Sequence, residues 1–130
     1  MTETTGGREI RLSPVLDGPQ VLALQDLVRR VPASESTVEF AVKLARATRP
    51  DQSSRDEVKK WVAWGAGPRA SQALVVGAKA RALLSGRFAA SEDDIRAVAK
   101  PVLRHRLVLN FQAEAEGIKP DVLIEKLLQD

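Results

Sequence analysis

The run Gly65-Ala66-Gly67-Pro68-Arg69 has the residue types of an anion-holding turn. Pro68 suits the first position of a helix, because its missing N–H is one the helix leaves unbonded and its φ is already helical. Arg69 then falls in the first turn, at the positive end of the helix dipole. A cation there is disfavoured by a few tenths to about 1 kcal/mol. The same helix start presents backbone N–H groups that bind anions, and a guanidinium beside them matches the oxygens of a phosphate. The plain alternative is that Arg69 points into water or pairs with a carboxylate such as Asp56.

The other groups capable of chemistry have simpler explanations. Glu92-Asp93-Asp94 follow Ser91, and acids there complement a helix start, so capping rather than an active site accounts for them. His105 lies between Arg104 and Arg106. That trio reads as a solvated basic patch, with a structural role for the histidine. Trp61 and Trp64, three residues apart, would share one helical face and read as core rather than as a partner-binding hot spot. Lys59-Lys60 reads as a wet helix face, and Glu114, Glu116, Asp121 and Glu125 as a basic neighbour's partners or simple solubilising charge.

No Gly-x-x-x-x-Gly-Lys-Ser/Thr loop is present to cradle a triphosphate, and no serine sits in a Gly-x-Ser-x-Gly elbow. With no cysteine and one histidine, thiolate chemistry is excluded and a zinc site lacks ligands. The chain alone is therefore not expected to be catalytic, and no catalytic or metal-ligating residue is assigned.

The elements that must position Arg69 are helical. Val21, Leu22, Leu24, Leu27, Val28 and Val31 recur at three- and four-residue spacing, predicting a helix over about 19–31 that Pro32 ends. Ser34 caps a second helix carrying Val38, Phe40, Ala41, Val42, Leu44 and Ala45, which stops before Pro50. A short helix is expected over 57–64. From Pro68 a long helix runs to about Leu84, with Ala70, Ala73, Gly77, Ala78, Ala80 and Ala82 leaving room for close approach. Ser85-Gly86 ends it, the glycine being free to turn left-handed. Residues 88–90 could be extended, and a helix starts after Ser91, with Pro101 kinking it or opening another. Residues 103–109 fit a helix end or an extended segment. Pro120 opens a last helix to about Leu128. The fold class is all-α, a bundle of about five to six helices with short extended pieces. Residues 1–13 read as a flexible tail and 14–130 as the domain.

The 130 residues suffice for one domain with its own core, and 44% apolar with 28% charged residues fits a globular chain. No apolar run reaches the roughly 18 residues of a membrane span, and Met1 to Gly7 lacks the apolar stretch of a secretory signal. Residues 51–110 hold 11 Lys/Arg against 6 Asp/Glu, whereas 111–130 hold 2 against 5. The basic middle and a pI near 9.6 keep a nucleic-acid-binding module open as an alternative. No helix lines its cations along one face, however, so nucleic acid is not the expected partner. A stand-alone helical adaptor is a further alternative.

Taken in order, Trp61-Val-Ala-Trp-Gly-Ala-Gly-Pro-Arg-Ala-Ser-Gln-Ala-Leu, Ala78-Lys-Ala-Arg-Ala-Leu-Leu-Ser-Gly-Arg, Glu92-Asp-Asp-Ile and Val102-Leu-Arg-His-Arg-Leu resemble the C-terminal lid of MoxR-type AAA+ ATPases. The resemblance runs from about Pro14 to the end. It implies that an α/β core, absent from this sequence, carries the P-loop, the magnesium-binding acids and the first sensor, with ATP and Mg2+ bound there. Arg69 would match the second-sensor arginine that reaches the γ-phosphate, on a turn formed by Gly65, Gly67 and Pro68. Arg104, His105 and Arg106 would lie where a neighbouring subunit or the core could contact them. The resemblance further implies rings, commonly hexamers, in the cytoplasm. Such rings remodel or activate client proteins in a chaperone-like manner, some of the clients bearing von Willebrand factor A domains.

Overall fold

Helix ends in this chain are fixed by local chemistry, and the computed structural model, which describes residues 12–129, shows each device in place. The expected tail, 1–13, lies outside the described residues except for its last two, which carry no regular structure. Helix α1 spans Gly18–Arg30 and opens on a reciprocal cap: Gln20 N donates to Asp17 Oδ1 (2.8 Å) and Asp17 N to Gln20 Oε1 (2.9 Å). Helix α2, Glu35–Ala47, is capped by Ser34, whose hydroxyl accepts from Thr37 N. Helix α3, Asp56–Trp61, is followed directly by strand β1, Val62–Trp64. Helix α4, Pro68–Leu84, is the longest. It stops where Gly86 takes φ +69°, so that Arg87 N reaches back to Ala82 O (2.8 Å) and Gly86 N to Leu83 O (3.0 Å). Helix α5, Glu92–Leu103, runs through Pro101 without opening a second helix. Strand β2, Val108–Leu109, leads to helix α6, Phe111–Ala115, and helix α7, Pro120–Leu127.

The expected helical bundle is observed, with seven helices among the described residues where five to six were expected. The extra element is α6, five residues between an Asn110 cap and Gly117, which also turns at φ +69°. The expected helix over 57–64 is cut short. Its last three residues pair antiparallel with β2, Val62 opposite Leu109 and Trp64 opposite Val108. That pairing also resolves residues 103–109: the helix ends at Leu103 and the chain is extended from Val108. Residues 88–90 are joined to the bundle by a parallel bridge between Ala33 and Ala90, with Ala90 N donating to Pro32 O (3.0 Å).

Helix α4 is the spine. Its buried residues, Ala70, Leu74, Ala78 and Ala82, fall at every fourth position. Small side chains on that stripe let α2 and α5 pack against it, and a Cβ added to Gly77 would meet Val98 of α5 at 3.4 Å. Around it Leu44, Val58, Ile95, Leu103, Leu123 and Ile124 supply bulk, each worth roughly 1.5–3 kcal/mol on full burial. Helix α1 differs. It rests mainly on α4 and buries no residue, and Val21, Leu22, Leu24 and Leu27 all stay exposed.

Candidate functional site

The turn before α4 is held from behind by the end of α2. Thr48 and Ala66 are fully buried. The Thr48 hydroxyl donates to Ala45 O (2.6 Å) and accepts from Ala66 N (2.8 Å), while Arg49 Nε donates to Ala66 O (2.9 Å). Both backbone groups of Ala66 are thus satisfied by side chains from one neighbouring segment, as a buried peptide unit requires. Gly65 lies flat on that segment. A Cβ there would stand 2.5 Å from Thr48 O and 2.6 Å from Arg49 Cα, both backbone atoms that cannot swing aside. The glycine is required by this close approach.

The turn then delivers Gly67 as the N-cap of α4, Pro68 at its first position and Arg69 in its first turn, as the sequence indicates. Gly67 is under no such constraint: its φ is −77° and a Cβ would meet nothing within 4 Å. The cap has no side-chain hydrogen bond and the first turn holds no acid. Arg69 is exposed and makes no hydrogen bond or ion pair with any described residue. Asp56, the carboxylate that could have taken it, faces Lys59 within its own helix at 3.6 Å. An unpaired guanidinium therefore stands at an uncapped helix start. Each is an anion-binding device, and together they fit a phosphate oxygen cluster. No group of three or more potential metal-ligating side chains occurs among the described residues.

The second candidate cluster is tied into the fold. Arg104 pairs with Asp121 of α7 (2.9 Å), and Arg106 donates to Val102 O and contacts His105 Nε2. Arg104 and His105 are exposed and lie at the chain end of α5, far in sequence from the Arg69 turn. Three of the four acidic residues named near the end are likewise occupied within the chain: Glu116 with Lys60 (3.0 Å), Glu125 with Lys100, and Asp121 with Arg104. The charge of these three serves internal pairs. The Lys60 ammonium, and after it Gln112 and the Trp61 indole, hold the Glu116 carboxyl below its ordinary value against the opposing effect of desolvation.

Two expectations are corrected. Trp61 and Trp64 do not share a helical face, because β1 begins between them. Trp61 is half-buried, donates to Glu116 Oε2 (3.0 Å) and lies under Lys60. Trp64 is 75% exposed, so it is not core. The acids of α5 do more than cap. Asp94 has no exposed surface. It accepts from Arg81 Nη1 (2.5 Å), from Arg87 Nη1 and Nη2 (2.7 and 2.5 Å), and from the Ser91 backbone and hydroxyl (3.0 Å each). The Arg87 guanidinium foremost, with Ser91 and Arg81, outweighs burial and holds this carboxyl well below the usual carboxylate range. The sequence reading missed this knot, as it missed Thr48 and Arg49; the Ser-x-x-Asp spacing at 91–94 was its one visible sign.

The AAA lid domain family model matches residues 54–127, from the approach to α3 to the end of α7. The chaperone MoxR1 of Mycobacterium tuberculosis is 38% identical over 116 residues, which is 88% of this chain and 31% of MoxR1. The uncharacterized protein YeaC of Bacillus subtilis is 33% identical over 117 residues, covering 90% of this chain and 34% of its own. The crystal structure of a Cytophaga hutchinsonii protein assigned as an ATPase superimposes with a TM-score of 0.89 at 30% identity, covering 98% of this chain and 39% of that one. The chain belongs to the AAA lid domain family, and within it is the C-terminal lid of a MoxR-family AAA+ ATPase. It spans about a third of the length of the first two relatives. Among the described residues no helix is long and apolar enough to cross a membrane.

Proposed function

We propose that this lid closes over ATP and Mg2+ held by an α/β core, with Arg69 on the γ-phosphate, and that the swing of the lid on hydrolysis drives chaperone-like remodelling of client proteins by a cytoplasmic ring. The observation that supports this most is the unpaired, exposed Arg69 at the uncapped start of α4, on a turn clamped by Thr48 and Arg49. Bound ATP with Mg2+ would supply the phosphoryl group and the charge that neutralises its oxygens. This chain's part is to place one guanidinium beside them. A cation fixed there adds charge stabilisation as the phosphoryl group transfers. When the γ-phosphate leaves, the contact is lost and the lid is released relative to the core, a hinge change biased by a single ligand. Gly65, Gly67 and Pro68 set the turn. Arg104 and His105, exposed beside the half-buried Arg106, offer an edge to a neighbouring subunit, and clients with von Willebrand factor A domains fit the MoxR kinship.

The test is Arg69→Ala in the full-length ATPase. Turnover should fall about 100- to 1,000-fold, the range for removing one preorganised donor from a transition state. The thermal midpoint of the lid should stay within about 2 °C, because a lone surface cation contributes little to folding. Unchanged turnover together with an unchanged nucleotide-dependent shape would overturn the assignment.

A further inference from the structure

We infer that Thr48 and Arg49 are positioning residues for Arg69: they hold the Gly65–Gly67 turn at one height against the end of α2 and thereby set where the guanidinium sits. The inference rests on the reading of Arg69 as the γ-phosphate contact. Three observations carry it. Ala66 has its N–H bound by the Thr48 hydroxyl and its carbonyl by Arg49 Nε, from adjacent residues across 17 or 18 positions of sequence. Gly65 is pressed onto the same two residues at distances no side chain would allow. Thr48 is completely buried and its hydroxyl spends its own proton on Ala45 O, so its second role, accepting from Ala66, is fixed in direction.

The geometry leaves little freedom. From Ala66 only Gly67 and Pro68 intervene before Arg69, and Pro68 locks its own φ. A turn held at both backbone groups of Ala66 therefore fixes the start of α4 with almost no slack. Arg49 serves through its Nε alone, and its two Nη groups bond to no described residue. Through Nε it grips the Ala66 peptide. Misplacing a reacting or stabilising group by about 1 Å costs up to 100-fold in rate, so a loosened turn should show in turnover even with Arg69 intact.

The experiment uses the full-length ATPase with Thr48→Val, Thr48→Ser, Arg49→Met, Arg69→Ala and the pairs T48V/R69A and R49M/R69A. T48V keeps the shape of the side chain and removes the hydroxyl, T48S restores it, and R49M keeps the stem without the donor. T48V and R49M should each lower kcat about tenfold while leaving ADP affinity within twofold, since ADP lacks the phosphate Arg69 would meet. T48S should recover most of the rate. Each pair should be no slower than R69A alone. Hydrogen exchange over residues 65–70 should quicken in T48V and R49M and not in T48S. A further loss of rate in the R69A background, or unchanged exchange over that segment in both T48V and R49M, would overturn the positioning role. Full turnover in R69A would instead remove the reading of Arg69 itself, with the exchange data still reporting whether the clamp holds the turn.

Discussion

Replacing Asp94 by Asn should destabilise this domain by about 3 kcal/mol. The carboxylate has no exposed surface and accepts hydrogen bonds from Arg81, both Nη atoms of Arg87, and the Ser91 backbone and hydroxyl. Asn keeps the volume but only one acceptor oxygen, and its amide group points donors at donors. Breaking a buried ion pair from one side costs about 3–5 kcal/mol. The lower end applies because Arg81 and Arg87 keep 45% and 41% of their side chains in water and can be solvated when released. For a domain of this size that corresponds to a fall of about 10–15 °C in thermal midpoint, readable by circular dichroism on the 130-residue chain. The dependence on pH has a definite sign. The folded-state pKa of Asp94 is lowered from 3.8, so its contribution is complete above about pH 4 and is lost as the pH falls further, toward the folded-state value. The wild-type midpoint should be level from pH 8 to 5 and drop below pH 4, and the drop should be shallower in D94N. A D94N midpoint within 2 °C of wild type at pH 7, or the same acid slope in both proteins, would refute the knot as a stabilising element.

Two more outcomes follow from the geometry around the Arg69 turn. Gly65→Ala should cost about 2–3 kcal/mol, because backbone atoms at 2.5 and 2.6 Å must move, whereas Gly67→Ala, with open space around it, should cost at most about 1 kcal/mol from its weaker cap; chemical denaturation of the two variants side by side checks this, and equal losses would contradict it. In Trp61→Phe the remaining Trp64 should fluoresce at long wavelength and be quenched freely by acrylamide, while in Trp64→Phe the half-buried Trp61 should be shielded; similar quenching in both would contradict the break between helix and strand.

What the sequence disclosed was what adjacent residues decide. Ser34, Gly86, Pro68 and Pro120 act within one turn of themselves, and each stands at the expected helix end. The small residues of α4 announced a close-packed helix because their spacing matches its turn. Most of the departures involve partners distant in sequence. Val62–Trp64 is extended because Val108–Leu109, more than forty residues on, supplies its hydrogen bonds. Helix α6 is too short to show a period, although Asn110 and Gly117 mark both its ends. Asp94 reads as one more acid at a helix start until α4 brings Arg81 alongside. Arg69 could be singled out, because a cation at the wrong end of a helix is a local anomaly. Thr48 and Arg49 could not, because their work is done on a peptide 17 or 18 residues away.

Helix α4 extends for 17 residues, a rod of about 26 Å, gripped along its buried stripe and fastened at both ends. The Thr48–Arg49 clamp holds the beginning, and Arg81 on its final turn is pinned to the first turn of α5 through Asp94. A rod secured in this way does not dissipate a push by bending. If its Arg69 end is the fulcrum, a tilt of roughly 10° carries the far end by about 4.5 Å, most of a helical pitch. The far end is where Leu84 and Phe88 stand almost wholly in solvent, at 90% and 93%. If Arg69 meets the γ-phosphate as proposed, the domain would act as a lever pivoting on a single guanidinium, with exposed apolar side chains at its moving end.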